Sequence, residues 1–259
     1  MLIINADDYG LSRLASDRIL CCHERGSVTS ASAMVFMDDS ERAADLAGHS
    51  GLDVGLHLNF TQRFTRTNLS SRLSDCQERI VRFLSRNKYA FLVYHPGLRN
   101  QFQYVVKGQL DEFLRLYGAE PSHFDGHHHM HLCSNVLVDR LIPRGCKVRR
   151  SFSFGPGEKG YVNRSYRSMV DHWLTRNYLT TDFLFSLSSC LGSGSLSRVT
   201  KLASFSTVEL QTHPEHTGEF EWLNSDSSGQ LMSEVKIGSY ATLQAEGFQN
   251  LSGPRDQRS

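Results

Sequence analysis

The sequence predicts an α/β protein built as one barrel-like domain. Short apolar runs alternate with longer stretches of helical period, the signature of βα units on a mainly parallel sheet. About seven or eight such units in roughly 250 residues match one (β/α) barrel, and no break in composition divides the chain. With 259 residues, 39% of them hydrophobic and 21% charged, the chain is long enough to bury about three quarters of its unfolded surface.

Taken in order, Leu2 to Asn5 reads as a short buried strand, Asp7 to Gly10 as a turn, and Ser12 as the N-cap of a helix carrying Leu14, Ile19, Leu20 and Cys21. Gly26 closes that helix. Val28 to Met37 is the second strand. Asp38 and Asp39 offer caps to a helix through Ala43, Ala44 and Leu46, and Leu52 to Phe60 alternates as a third strand carrying His57. Phe102, Val105, Val106, Leu110, Phe113, Leu114 and Tyr117 lay one apolar stripe along a helix ended by Gly118, after which His123 to His127 re-enters the sheet. Further strands are expected at Cys146 to Arg149, Thr181 to Phe185, Thr207 to Gln211 and Phe248 to Leu251, with helices at Tyr166 to Arg176 and Ser233 to Glu246. The serine- and glycine-rich stretch Ser186 to Ser197 reads as a mobile surface loop. The domain is expected to span 1–251, with 252–259 as a polar tail.

Lysine plus arginine (28) nearly balances aspartate plus glutamate (27), so the chain lacks the basic field that holds nucleic acid or an anionic membrane. Its apolar runs are short, and Met1 leads into Leu2, Ile3 and Ile4 without a basic n-region, so neither a membrane span nor a signal peptide is expected. Six scattered cysteines without a C-x-x-C pair suit reduced thiols and a cytoplasmic location. Histidine is the unusual count: of twelve, His123, His127, His128, His129 and His131 crowd into one short segment.

In parallel α/β folds functional side chains gather at strand ends, where loops converge on one face. The expected strands deliver Asp7 and Asp8, His57, Asp125 and His127, Arg149, and His213 to such ends. Adjacent carboxylates repel unless a cation lies between them, so Asp7-Asp8 points to a metal or to acid–base work; a solvated turn with a helix cap is the competing reading. His57 points away from the layer that Leu56 and Leu58 fill, and alone it reads more readily as a hydrogen-bonded core residue than as a ligand. The segment Asp125-Gly126-His127-His128-His129-Met130-His131 changes that balance. In an extended segment His127, His129 and His131 share one side, and Asp125 is placed to orient an imidazole. Asp8, His57 and His127 would make a two-histidine, one-carboxylate site whose open positions suit catalysis. The sequence has no G-x-S-x-G, Walker or G-x-G-x-x-G motif, which removes serine hydrolase, NTPase and dinucleotide readings.

Three segments, Ile4-Asn5-Ala6-Asp7-Asp8-Tyr9-Gly10-Leu11-Ser12, Gly55-Leu56-His57-Leu58-Asn59-Phe60-Thr61 and Pro121-Ser122-His123-Phe124-Asp125-Gly126-His127-His128-His129-Met130-His131, resemble the YdjC-like carbohydrate deacetylases, which include the chitooligosaccharide deacetylases. The likeness continues through Val148-Arg149 and Glu209-Leu210-Gln211-Thr212-His213-Pro214. It implies a distorted (β/α) barrel related to that of polysaccharide deacetylases. By position it makes Asp8, His57 and His127 the metal ligands, Asp7 the general base, His213 the acid for the departing amine, and Arg149 the cation that holds Asp7 ionised and aimed. It implies a divalent metal, Mg²⁺ first, although two imidazoles equally suit Zn²⁺ or another transition metal. The implied substrate is a small carbohydrate, an N-acetylglucosamine unit of a chitin-type oligosaccharide, and the implied assembly a homodimer.

Two departures stand out: Gly126 where the family usually has serine, and Tyr9 where it often has phenylalanine. Arg63 to Leu98 carries no alignable motif. Phe64, Tyr94, Phe152, Phe154 and Trp222 are candidates either for stacking on sugar rings or for the core. A rival reading is a non-enzymatic histidine-rich metal binder, which explains 127–131 but leaves Asp7, Asp8, His57 and His213 without a purpose. A metal-dependent hydrolase of another bond, such as a phosphoester, is the nearer rival; the sparse basic residues around the motifs argue against it.

Overall fold

The structure, a computed structural model, describes residues 1–154 and 160–244. Strands β1 (Leu2–Tyr9), β2 (Ser30–Ala33), β3 (Asp53–Leu58), β4 (Phe124–Gly126), β5 (Phe183–Ser186) and β6 (Val208–Thr212) pair in the order β4-β3-β2-β1-β6-β5, and the short β7 (Ile237–Gly238) lies beside the start of β1. Every pairing is parallel. The curved sheet turns back on itself through irregular backbone. Phe124 bridges to Val148, Lys147 bridges to Leu179, and the Ser153 N–H donates to the Leu184 carbonyl in β5. The result is a distorted barrel, with Cys146 to Arg149 supplying isolated bridges where a regular strand was expected.

Alternation along the strands separates two interiors. Leu2, Ile4 and Ala6, Ala31 and Ala33, Leu56 and Leu58, Phe124, and Val208 and Leu210 join one large apolar core with the helices. The helices are α1 (Arg13–Glu24), α2 (Ser40–Ser50), α3 (Ser71–Leu84), α4 (Arg99–Tyr117), α5 (Ser134–Val138), α6 (Tyr161–Asn177), α7 (Leu187–Ser193), α8 (Leu196–Ala203), α9 (Thr217–Leu223) and α10 (Asp226–Ser233). The alternate residues Asn5, Asp7, Ser30, Ser32, His57, His123, Asp125, Glu209 and Gln211 are buried too, and they link to one another by polar contacts inside the barrel. Ile3, Tyr240 and Leu243 form a small apolar plug beneath them.

Local signals account for most boundaries. The Ser12 hydroxyl accepts from the Ala15 N–H at 3.1 Å and starts α1, and Gly118 in the left-handed region (φ 66°) ends α4. Three expectations change. The turn expected at Asp7 to Gly10 is shifted: β1 runs to Tyr9, whose hydroxyl donates to the Ala43 carbonyl at 2.6 Å, and the chain turns at Gly10 and Leu11, where the Leu11 N–H donates to the Asp8 carbonyl at 3.1 Å, so tertiary pairing outweighs the turn preference of Asp-Asp. Ser186 to Ser197 is mostly helical, because Leu187 with Cys190, and Val199 with Ala203, put buried residues at helical spacing among the serines. The helix expected at Ser233 to Glu246 instead ends at Ser233, and β7 and the plug follow. Phe248 to Leu251 and the tail 252–259 lie outside the described residues.

Gly55 in β3 marks the tightest point of the barrel. A Cβ there would meet the His123 ring at 2.3 Å, and that ring is itself stacked on Tyr240 with centroids 3.8 Å apart. Gly55→Ala is expected to cost about 1–3 kcal/mol through overpacking, read as a lower urea midpoint. Gly48→Ala, where a Cβ meets nothing within 4 Å, is the control and is expected to leave stability unchanged or raised.

Candidate active site

The site forms at the C-terminal ends of β1, β3, β4 and β6. Strict alternation would send Asp7 and Asp8 to opposite faces of β1. Instead the register with β2 slips between Ala6 and Tyr9, and Asp8 takes a left-handed conformation (φ 67°). This bulge swings Asp8 to the side of Asp7: the Nε2 of His57 lies 4.0 Å from Asp7 Oδ2 and 3.4 Å from Asp8 Oδ1. The chain past β4 also departs from the extended form expected of it. Residues His127–Leu132 form a tight helical turn in which His128 and His129 are left-handed (φ 53° and 58°).

That turn disperses the histidine cluster. His127 Nδ1 reaches Asp8 Oδ1 at 2.9 Å, whereas His131 Nε2 donates to the Arg149 carbonyl at 3.0 Å and His129 packs against Phe152. Burial holds His131 neutral, with its pKa lowered to about 4. Among the described residues, only His127 of the five clustered histidines shares a donor group with residues elsewhere in the chain, and this argues against a histidine-rich metal buffer. Gly126 permits the turn, since a Cβ there would lie 2.8 Å from the His131 amide nitrogen.

Asp8, His57 and His127 each offer one ligand atom, all within 4.8 Å of one another. Donors about 2.1 Å from one cation sit about 3.0 Å apart on an octahedral edge and about 3.4 Å apart on a tetrahedral one. The observed 2.9 Å and 3.4 Å fit both. The Nδ1–H of His57 donates to Asp125 Oδ1 at 2.7 Å, which aims its Nε2 toward a cation that would bind there by displacing the Nε2 proton. Asp7, His57 and Asp125 also cluster, but a cation of the protein's own, the Arg149 guanidinium, already lies between the two carboxylates.

Arg149 is fully buried and binds three acids. It contacts both oxygens of Asp7 at 2.7 Å, Asp125 Oδ2 at 2.6 Å and Glu209 Oε1 at 2.7 Å. Asp7 accepts two further bonds, from Asn5 Nδ2 (3.0 Å) and Gln211 Nε2 (2.6 Å). Burial alone would raise the Asp7 pKa, but Arg149, with help from His57 and His213, holds it well below the usual carboxylate range. Asp125 is lowered in the same way, burial being outweighed by Arg149 and His57. Burial also opposes the His57 imidazolium, yet Asp125 and Asp7 raise its pKa to about 10. Glu209 alone among these acids is raised, burial outweighing Arg149 and the Tyr240 hydroxyl that donates to it at 2.5 Å. His213 sits at the mouth, its side chain 30% exposed, with Nε2 3.9 Å from Asp7 Oδ2 and 4.0 Å from Asp8 Oδ2. Glu219 fixes that strand end by accepting from the His213 N–H at 2.6 Å.

The site therefore gathers all six residues singled out in the sequence: Asp7, Asp8, His57, His127, Arg149 and His213. Sequence reasoning gave no role to Glu209, Gln211, Asn5, Ser32 or Tyr240. For the first four the signal was polar residues alternating within strands otherwise read as buried; Tyr240 lies in no strand and gave none. Among the aromatic candidates, Phe64 packs on Phe36, Tyr94 donates to Asp139, and Trp222 packs against the apolar core. Phe152 lies beside the site, next to Phe154.

A distorted α/β barrel that gathers acids and imidazoles at the C-terminal ends of its strands defines an enzyme. The chain belongs to the YdjC-like protein family, whose family model matches residues 1–250. A carbohydrate deacetylase of Brevibacillus brevis is 30% identical over 251 residues, 93% of this chain and 92% of that one. Another, of Geobacillus stearothermophilus, is 33% identical over 248 residues, 94% and 91% of the two chains. A chitooligosaccharide deacetylase of Proteus mirabilis is 31% identical over 138 residues, 53% of this chain and 52% of that one. The fold is shared with a crystal structure from Enterococcus faecalis V583 described as a cellobiose-phosphate cleavage protein: TM-score 0.67, 18% identity, 94% of this chain and 98% of that one covered.

Removing the guanidinium would leave three buried carboxylates facing one another, so Arg149→Met is expected to lose about 3–5 kcal/mol in denaturant unfolding. Lowered acids contribute stability that is present above their unfolded pKa and is lost as pH falls through it. Asp7, Asp8 and Asp125 are lowered and only Glu209 is raised. Burial also holds His123, His129 and His131 neutral, so the urea midpoint is expected to fall as pH drops below about 6.5, where the unfolded chain protonates these histidines, and to fall further below about pH 4. A midpoint flat to pH 3 would show that the acids are not held ionised as described.

Proposed function

We propose that the protein is a metal-dependent carbohydrate deacetylase. It hydrolyses the N-acetyl group of an amino sugar, with N-acetylglucosamine units of chitin-type oligosaccharides as substrate, Mg²⁺ as the metal and the cytoplasm as its location. One observation carries this reading: Asp8, His57 and His127 bring three donor atoms within 4.8 Å beside two further proton-handling groups, Asp7 and His213. The relatives named carbohydrate deacetylases that align along nearly the whole chain support it. Among the described residues no helix is long and apolar enough to cross a membrane, and no cysteine is in a disulfide.

A divalent cation held by Asp8, His57 and His127 would supply Lewis acidity toward water and toward the acetyl carbonyl. Asp7 takes the proton of the attacking water. Because Arg149 keeps Asp7 ionised, this carboxylate is always ready to accept, and because its proton affinity is low it holds the proton only in passing. His213, 3.9 Å away and open to the mouth, delivers a proton to the sugar nitrogen. The amide C–N bond then breaks to leave a neutral amine and acetic acid, which gives up its proton to solvent as acetate, and the proton taken up by Asp7 returns to His213. Asp125 keeps the His57 ring aimed throughout.

The test is incubation of the metal-reconstituted protein with N-acetylated chitooligosaccharides, scored as free acetate. Chelator-treated protein is expected to release none, and added Mg²⁺ to restore release. Asp7→Asn is expected to lower kcat by about 10²–10⁴-fold while retaining metal in equilibrium dialysis, and the His57→Ala, His127→Ala double variant to lose the metal. Acetate release unchanged in Asp7→Asn removes that residue from the mechanism. If no N-acetylated sugar yields acetate, the deacetylase reading falls.

A further inference from the structure

His213 is the proton donor of the reaction proposed above, yet among the described residues no hydrogen bond holds its ring. The carboxylate oxygens of Asp7 and Asp8, 3.9 Å and 4.0 Å from its Nε2, lie beyond hydrogen-bond range. The other two imidazoles of the centre are held by their rings, His57 by Asp125 and His127 by Asp8. An acid–base imidazole has to be aimed as well as present, and one without an orienting partner on its ring takes its direction from its own backbone.

That backbone is gripped from two sides. On the inner side stands Glu219, in the first turn of α9 and 3% exposed. Its Oε2 accepts from the His213 N–H and from the Thr212 hydroxyl, both at 2.6 Å, and its Oε1 accepts from the Ser188 hydroxyl on α7. These three donors are uncharged, so a buried carboxylate is spent on fixing backbone and hydroxyls rather than on pairing a cation, and bonds of this charge-assisted kind are short and directional. On the outer side Arg18, half-buried on α1, donates from Nη1 to the carbonyls of Pro214 (3.2 Å) and Glu215 (2.7 Å), with its guanidinium over the Phe220 ring at 4.7 Å. The His216 N–H closes the turn by donating to the His213 carbonyl at 2.9 Å. Because α1 follows β1 directly, the outer grip ties the His213 turn to the element that leaves the strand of Asp7 and Asp8.

We infer that Glu219 and Arg18 are positioning residues that act through His213. They lock the backbone from 212 to 216 so that an imidazole with no hydrogen bond on its ring still faces the leaving nitrogen across from Asp7. The inference rests on the deacetylase reading for the work of His213. A misplacement of about 1 Å in a reacting group can cost about 10²-fold in rate, so loosening either grip is felt in proton delivery and not in the binding of substrate.

The test gives the Mg²⁺-loaded full chain two acetyl substrates. An N-acetylated chitooligosaccharide needs a proton on its leaving nitrogen, whereas 4-nitrophenyl acetate releases a phenolate that departs without one. In Arg18→Met and in Glu219→Ala, kcat for acetate release from the sugar is expected to fall about 10–10²-fold with KM within about twofold, while the chelator-sensitive ester rate stays within about threefold. Glu219→Gln, which keeps an acceptor for the His213 N–H, is expected to recover most of the loss. Arg18→Met alters a half-buried side chain and carries the test should Glu219→Ala fail to fold. Backbone hydrogen exchange on the metal-free chain is the second readout: the His213 and His216 amides are expected to exchange at least about tenfold faster in the two disrupting variants, with the amides of β3 unchanged. Sugar and ester rates that fall together, a sugar rate unchanged in both variants, or exchange unchanged in both would each overturn the inference. An unaltered protein that releases no acetate from any N-acetylated sugar removes the deacetylase, and faster exchange in the variants then keeps the grip on His213 without it.

Discussion

One guanidinium organises this barrel. Arg149 enters from a segment that forms only isolated bridges and binds acids delivered by three strands, Asp7 on β1, Asp125 on β4 and Glu209 on β6. Taking one cation and three carboxylates out of water is costly, and charge attraction offsets that cost only when the geometry is close to ideal. The geometry here is close, with contacts of 2.6 to 2.7 Å and a bidentate grip on Asp7. The residual negative charge is shared out by neighbours. His57 bonds to Asp125, and the Tyr240 hydroxyl bonds to Glu209. Strands that slid by one residue would break these contacts, so the network specifies register as well as chemistry.

The same network divides the work of the two adjacent aspartates. Asp7 has its oxygens occupied by Arg149, Asn5 and Gln211 and is 2% exposed, whereas Asp8 is bonded only by imidazoles. Identical residues one position apart thus meet opposite surroundings, one a carboxylate that Arg149 holds ionised and the other a carboxylate that imidazoles face. The left-handed turn at Asp8 is what lets both lie on one side, and the register slip beside it is its structural counterpart.

Much of this was legible in the sequence. Polar and apolar alternation located the strands, Ser12 and Gly118 marked helix ends, and Asp7, Asp8, His57, His127 and His213 fell at the strand ends expected of them, while Arg149 stands on isolated bridges where a strand was expected. What escaped depended on contacts distant in the chain. Asp-Asp reads as a turn until β2 pairs beside it. The serines of 186–197 conceal two helices because so few large residues mark their buried faces. His129 and His131 look interchangeable with His127 in an extended segment, and only the left-handed pair at His128 and His129 turns them elsewhere. Glu209 reads as a surface charge unless one knows that its strand lines a polar interior with an arginine at its centre.

The plug of Ile3, Tyr240 and Leu243 has a consequence for traffic. Buried beneath Arg149, it closes that end of the barrel among the described residues. Under the proposed reaction, sugar, water and both products would pass by the rim at the strand ends, so the first product to depart would have to clear the rim before a new guest could settle.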